Sequence, residues 1–377
     1  MNIALQSPFP PYRGGIATFG RYMLEHLQNR NGAGTVNGIN FRRLYPPLLF
    51  PGSSQYTEPP VFLPGVQDVV HSYNPFSWKH AAVKINALKP DVYVYTHWHP
   101  FFCASQLSII GKLRALHPGI RVAGLLHNVI PHEGFPFQHR LSTALFKQTD
   151  IPFVLSSQTQ SEYTGLLPDS KPVRLYHPVY EQDLPATSRS TLRDRFGVQP
   201  DETALLFFGL IRPYKGLDVL LRALHGIDLH KNKIRLFIAG EFYTKRDPYD
   251  ELLEASGSER ITLIDRFVRD DEAAELMTLC DAMVLPYRSA SQSGILSNAI
   301  NFGLPVIASN LPGLSDQVVH GKTGLLVEAG GVDSLRDALM AIKQPDMLER
   351  MRTNTLKLKK QYSWTRFAQL LLDHLNN

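Results

Sequence analysis

Short, uninterrupted apolar runs punctuate the chain. "VRLYHP", interrupted by Arg174, reads as a strand, while "NIALQS", "DVYVYTH", "RVAGLLHN" and "FVLSS" lack the in-out alternation of a half-exposed strand. Such runs belong to strands buried on both faces. Between them, "GIATFGRYMLEHLQNR" sets Ile16, Phe19, Met23 and Leu27 on one helical stripe, and "QLSIIGKLRAL" and "SQTQSEYTGLL" also read as helices. The stretch "FRRLYPPLLFPGSSQYTEPPVFLPG" is Pro-rich and aperiodic, which predicts a long surface loop. "HPVYEQDLPATSRSTLRDRFG" has the composition of a linker, and the alternation restarts after it. "ALLFFG", "IRLFIAGE", "ITLID", "DAMVLPY" and "PVIAS" read as strands; "LDVLLRAL", "DDEAAELMTLC" and "GILSNAINFG" read as helices. From "SLRDALMAIK" to "FAQLLLDHL" the pattern is helical throughout. Strands alternating with helices imply parallel βαβ units. The expected fold class is α/β, with two doubly wound Rossmann-like domains facing across a cleft. Ligands of such sheets bind at the carboxyl ends of strands.

Composition adds bounds. The 377 residues are 44% hydrophobic and 19% charged, ordinary for a globular protein. No apolar run reaches the roughly 18 residues of a spanning helix. The start, "MNIALQSPFPPY", has neither a basic lead nor a long apolar stretch, so it reads as a first strand ending at Pro8 rather than as a secretory signal. Two cysteines, Cys103 and Cys280, exclude a disulfide framework and a cysteine-based zinc site, and a cytoplasmic location is expected.

Charge divides the chain. Residues 1–180 hold 15 Lys and Arg against 8 Asp and Glu, a balance of +7, while residues 181–377 hold 24 against 26, a balance of −2. The basic half also holds 10 of the 14 histidines. An anionic partner is expected there. No recognition helix, zinc finger or stacking sheet favours nucleic acid. A phosphate-bearing substrate or an anionic membrane surface fits better, with Arg42, Arg43 and the apolar loop "LYPPLLFPG" as the docking surface. A basic surface that touches nothing is the plainer alternative.

Four stretches carry candidate chemistry. Gly14 and Gly15 follow the first strand and open a helix, which suits close backbone approach to an anion or, more simply, a tight turn. The spacing is not the dinucleotide fingerprint. In "FFGLIRPYKG" a buried strand ends at Gly209, and Arg212 and Lys215 precede the next helix, so two cations meet free helix amides at one strand end. That arrangement suits a diphosphate leaving group. His127 emerges from a buried strand, with His132 and Glu133 close behind; a sugar hydrogen bond, acid–base work or a structural role are all open to it. His97 and His99 lack an obvious third ligand, and no metal is expected. In "ASQSGILSNAINFG", Ser291, Gln292 and Ser293 offer small polar groups just before Gly294 opens a helix; a cap without a ligand is the alternative.

Taken together, "FFGLIRPYKG", "IAGE", "DAMVLPYRSASQSGILSNAINFGLPVIAS" and "LPGLSDQVVHGKTGLLVE" resemble the retaining nucleotide-sugar glycosyltransferases of family four, of GT-B architecture. The Gly-Gly loop and "HNVIPHE" extend the resemblance over nearly the whole chain. It implies an acceptor-binding domain over residues 1–180, a donor-binding domain over 181–360, and a C-terminal helix over 361–377 that packs back on the first domain. It assigns Arg212, Lys215 and His127 to catalysis. Gly14, Gly15, Gly209, Phe267, Val268, Gln292, Ser293, Gly294, Ile295, Leu296 and Asn298 are assigned to the donor, with the base held by the backbone around Phe267 and Val268. His132 and Glu133 are assigned to the acceptor. The implied reaction moves a sugar from a nucleotide diphosphate sugar to a glycan or polyprenyl-diphosphate-linked acceptor with retention of configuration, in polysaccharide or lipopolysaccharide assembly. No cofactor and no metal are implied, and the protein is expected to dock peripherally on the inner face of the cytoplasmic membrane.

One departure stands out. The family's usual pair of glutamates, eight positions apart, falls on Ala290 and Asn298, and no acid occurs between Asp281 and Asp316. Such a segment resembles a subgroup among bacterial exopolysaccharide and O-antigen transferases. The resemblance implies front-face attack assisted by the donor phosphate, so catalysis rests on leaving-group stabilisation and positioning and needs no carboxylate at the reacting carbon. A catalytically degenerate nucleotide-sugar-binding module is the alternative. An epimerase is disfavoured by the acid-free stretch.

Overall fold

The uninterrupted apolar runs become the strands of two parallel sheets. The computed structural model describes residues 1–30, 34–46, 54–57, 59–130, 134, 136–256 and 259–376. One unit comprises Met1–Tyr176 with Trp364–Asn377, the other His177–Ser363. Each is an α/β Rossmann-like domain, as the alternation predicts.

In the N-terminal unit the chain runs β1 (Ile3–Gln6), α1 (Gly15–Gln28), β2 (Val36–Arg43), β3 (Val66–His71), α2 (Pro75–Ala87), β4 (Val92–His97), α3 (Cys103–Leu116), β5 (Arg121–Leu126), α4 (Gln138–Phe146), β6 (Ile151–Val154), α5 (Ser157–Leu166) and β7 (Val173–Arg174). The strand order is β3-β2-β1-β4-β5-β6-β7, every pair parallel. β1 and β4 are buried from end to end, which accounts for their apolar starts, Ile3–Leu5 and Val92–Tyr95, with polar residues only at their carboxyl ends.

The Pro-rich reading needs correction at its start, because Phe41–Arg43 end β2 rather than open a loop. Asn37, Gly38 and Asn40 break the apolar pattern of this strand. Asn40 is nonetheless buried, its Oδ1 accepting from the Phe9 amide at 2.9 Å and its Nδ2 donating to Asp68 Oδ1 at 2.9 Å. A buried amide is tolerated once its hydrogen bonds are made. Arg42 and Arg43 are exposed at the end of β2, and residues 47–53 and 58 lie outside the described residues.

The C-terminal unit runs α6 (Arg189–Arg195), β8 (Thr203–Phe208), α7 (Leu217–Leu224), β9 (Ile234–Ala239), α8 (Asp247–Ser256), β10 (Ile261–Ile264), α9 (Asp270–Leu279), β11 (Ala282–Leu285), α10 (Gly294–Asn301), β12 (Val306–Ser309), α11 (Pro312–Ser315), β13 (Gly324–Val327), α12 (Val332–Ala341) and α13 (Pro345–Gln361). Its parallel sheet has the order β10-β9-β8-β11-β12-β13. The linker-like stretch contains α6, started by Ser188, whose hydroxyl accepts from the Thr191 amide at 3.2 Å. Arg193 pins this helix to the sheet, reaching Asp281 Oδ2 at 3.0 Å and the carbonyls of Gln199 and Glu202 at 2.7 Å each.

The last helix, α14 (Trp364–Asn376), belongs to the N-terminal unit. Trp364 is fully buried, with its ring 4.7 Å from Phe19 of α1, and Phe367 lies 5.7 Å from the same ring. In each sheet the winding reverses once, at β1/β4 and at β8/β11. These switch points are where ligands of open parallel sheets bind.

Candidate functional site

In the C-terminal unit, β8 delivers the chain to Gly209 at the switch point. Gly209 has φ +99°, and a side chain there would sit 2.4 Å from Ile295 Cδ1 and 2.9 Å from Lys215 Nζ. Gly209, the first turn of α10 and the Lys215 ammonium therefore meet at one place. Gly216 is equally constrained, with φ +70° and only 2.0 Å between a would-be Cβ and the Pro286 carbonyl oxygen. The two glycines let the loop after β8 and the loop after β11 press together. Arg288 ties them: its amide donates to Tyr214 O at 2.7 Å, and its guanidinium reaches Pro213 O at 2.9 Å and Asp218 Oδ1 at 2.7 Å.

Lys215 is buried, with its Nζ 5.9 Å from the Tyr287 ring centroid. Among the described residues no carboxylate pairs with it. Burial, reinforced by the Arg212 charge, lowers its pKa from 10.5 to about 7. A buried ammonium with no acid beside it is costly to the fold and attractive to an anion. Arg212 stands at the start of the same turn, partly exposed, with its guanidinium 5.4 Å from the Tyr243 ring.

The opposite wall is α10. Ser293 is its N-cap, the hydroxyl accepting from the Leu296 amide at 3.2 Å. That bond uses the Leu296 amide and one acceptor position of the Ser293 hydroxyl, whose O–H remains a donor. The amides of Gly294 and Ile295 are left as helix-start donors, which a phosphate oxygen satisfies well. Gln292 Oε1 and Asn298 Oδ1 are buried atoms without a hydrogen-bond partner among the described residues. Ala290 is buried in the core cluster, and its carbonyl oxygen lies 2.2 Å from where a Cβ on Gly313 would be. The strand-end residues after β10 are split: Phe267 is exposed, its carbonyl accepting from Arg266 Nη1 at 3.3 Å, while Val268 packs into the core.

In the N-terminal unit the corresponding strand ends carry Gly14, Gly15 and His127. Gly14 caps α1 with φ +107°, and both glycines face open space. His127 is buried at the end of β5, its amide donating to His97 O at 2.8 Å and its ring set edge-on to Phe19 at 4.6 Å. His97 is also buried, bonded through Nδ1 to Gln106 at 3.2 Å, and burial pushes it down to about 4. His132 and Glu133 lie outside the described residues. No metal-ligating cluster occurs among the described residues.

The sequence reading passes over one histidine. His177 lies beneath α10, with Nδ1 2.8 Å from Ser297 Oγ. Its signal was present, since "LYHP" repeats the pattern of "LLHN", a histidine at the end of an apolar run.

Residues 188–358 match the family described as glycosyl transferases group 1. The D-inositol 3-phosphate glycosyltransferase of Rhodococcus jostii (strain RHA1) is 28% identical over 193 residues, 49% of this chain and 42% of that protein. The enzyme of the same name from Nocardia farcinica (strain IFM 10152) is 31% identical over 199 residues, 49% of this chain and 43% of that one. The match thus spans less than half the length of these relatives. Among solved structures, Anabaena HepE in complex with UDP and glucose superposes with a TM-score of 0.75 at 16% identity, covering 100% of this chain and 99% of that one. The lipopolysaccharide outer core galactosyltransferase WaaB gives 0.71 at 12% identity, covering 100% and 99%. These structures share the fold of two parallel-sheet α/β domains. The residues that build the Lys215 site lie within the segment that matches the glycosyl transferases group 1 model.

Proposed function

We propose that the protein is a retaining glycosyltransferase that moves a sugar from a nucleotide diphosphate sugar to a glycan or lipid-linked acceptor in cell-surface polysaccharide assembly. One observation carries the reading: a buried, acid-free Lys215, beside Arg212, meets the first turn of α10 at a sheet switch point. Lysine, arginine and helix amides together match the charge and shape of a diphosphate. In the transition state the sugar–oxygen bond breaks and negative charge grows on the departing phosphate. Lys215 and Arg212 stabilise that charge more strongly than they stabilise the bound donor, which is the condition for catalysis. Gly294 and Ile295 supply amides to the same phosphates, and Asn298 takes the ribose. His127 and the Gly14–Gly15 turn are assigned to the sugar or the acceptor.

Replacing Arg212 and Lys215 together by alanine is expected to abolish transfer and weaken nucleoside diphosphate binding by at least about a hundredfold. Unchanged transfer and unchanged affinity overturn the assignment.

A second reading is favoured by Ala290 and Asn298. It makes the protein a nucleotide-sugar-binding module without turnover. Product formation from any donor and lipid-linked acceptor disposes of it.

We extend the proposal to an anionic membrane surface as docking partner. Between Asp68 and Asp91 there is no acid, while Lys79, Lys84 and Lys89 are all exposed. On α2, Phe76 (93% exposed), Lys79, Val83 and Lys84 recur at helical spacing on the outer face. Cations beside exposed aromatic and aliphatic groups suit an anionic lipid interface. Among the described residues, no helix is long and apolar enough to cross a membrane.

A further inference from the structure

The chain enters the C-terminal unit through a short segment that is bonded to both ends of α10. At the far end, Asn301 Nδ2 donates to Gln182 O at 3.0 Å. At the near end stands His177, buried, with Nδ1 3.0 Å from Pro178 O and 2.8 Å from Ser297 Oγ. A carbonyl only accepts, so the network places the ring hydrogen on Nδ1. Nε2 is then the acceptor, and the Tyr180 hydroxyl lies 3.4 Å away. Burial holds the ring neutral by pushing it down to about 4, so one donor and one acceptor are what it has to offer. The Ser297 hydroxyl also lies 3.5 Å from Ser293 O, which links the histidine to the cap of α10. A Cβ on Gly294 would touch Tyr180 Cε2 at 3.5 Å and the His177 ring at 3.7 Å, so both rings back the first turn of the helix. The His177 backbone is held in turn, its carbonyl accepting from Gln317 Nε2 at 2.9 Å.

We propose that His177 is a positioning residue for phosphate binding: by bridging Pro178 and Ser297 it fixes the first turn of α10, whose Ile295 meets Gly209 and the Lys215 ammonium. This inference rests on the reading of that turn as a diphosphate site. His177 touches no substrate itself. It acts through the orientation of the Gly294 and Ile295 amides, and donors aimed at a developing charge lose much of their effect when they turn away from it.

Three variants of the full chain test it: His177→Phe, which fills the space without a donor; His177→Asn, whose amide nitrogen replaces Nδ1; and Ser297→Ala. The readouts are affinities for uridine diphosphate, inorganic pyrophosphate and uridine, with the thermal midpoint alongside. His177→Phe is expected to weaken uridine diphosphate and pyrophosphate alike, by about fivefold to tenfold, the scale of one buried hydrogen bond. Uridine affinity stays unchanged, and His177→Asn recovers pyrophosphate binding to within about twofold of wild type. Ser297→Ala matches His177→Phe, and the double variant is no worse than either, because both break one link. Wild-type pyrophosphate affinity in His177→Phe overturns the proposal. Equal losses for pyrophosphate and uridine, with no rescue by asparagine, also overturn it. If His177→Phe does not fold, unchanged pyrophosphate affinity in Ser297→Ala has the same force. A wild-type protein that binds neither uridine diphosphate nor pyrophosphate brings down the functional reading itself, and this inference with it.

Discussion

Replacing Lys215 by methionine separates what the residue does for the fold from what it does for the ligand. The pKa falls from 10.5 to about 7 because the ammonium is buried and faces Arg212. At about 1.4 kcal/mol per unit, that drop sets roughly 5 kcal/mol between the charged and neutral forms as a ceiling. Relaxation and water entry around a real buried charge reduce it, so a gain of about 2–4 kcal/mol is expected when the charge is removed. Methionine has nearly the same volume and reach, so little packing is lost. The C-terminal unit is expected to melt about 4–10 °C higher at about pH 6.

The sign with pH is fixed. Unfolded Lys215 holds its proton up to about 10.5, and folded Lys215 releases it near 7. The unfolded chain therefore binds more protons between these values, and wild-type stability rises with pH across that window. Below it the penalty is present in full. The advantage of Lys215→Met is thus largest near pH 6 and falls below about half of that near pH 9. The same titration weakens uridine diphosphate binding to wild type by about twenty-five-fold between pH 7.5 and 9, since only the protonated fraction is competent. Calorimetry of both proteins at the two ends of the range measures all of this. A destabilised Lys215→Met at pH 6, or a stability difference that ignores pH, refutes the reasoning.

Three further outcomes follow from the same site and surface. Ala290→Glu places a carboxylate in a core cluster against the α11 backbone, so it is expected to destabilise the unit by about 2–4 kcal/mol rather than restore a sugar contact; an unchanged melting midpoint contradicts this. Asn298→Glu is expected to sharpen discrimination of ribo- over 2′-deoxyribonucleoside diphosphate in titration calorimetry, and unchanged affinity for both shows that the ribose does not lie there. Phe76→Ser combined with Lys79→Glu and Lys84→Glu is expected to remove salt-sensitive flotation with vesicles containing phosphatidylglycerol; wild type that fails to float with them rules out α2 as a docking face.

The α/β class is legible because strands buried on both faces cannot hide their apolar runs. β11 is apolar and buried from end to end, and β4 is buried from end to end with only Thr96 and His97 polar at its close. β2 is not legible, since Asn40 spends its polar groups on Phe9 and Asp68, and no sequence pattern reveals where a buried amide finds partners. α6 hides inside a polar linker because its stability comes from Arg193 reaching Asp281 across the fold. At the candidate site, the strand-end logic finds Arg212, Lys215 and Gly294 from local order alone. It does not show that His177 backs the helix across more than a hundred residues of sequence, because that contact depends on tertiary geometry.

Turnover is the claim on which the rest depends. The direct measurement incubates wild-type protein with uridine, guanosine and adenosine diphosphate sugars and a polyprenyl-diphosphate-linked acceptor, and follows nucleoside diphosphate and glycosylated lipid together. The account predicts that one donor yields both products in equal amount, with the anomeric configuration of the donor retained by NMR. Tight nucleotide binding with neither product formed across the panel contradicts it, and leaves the protein as a binding module.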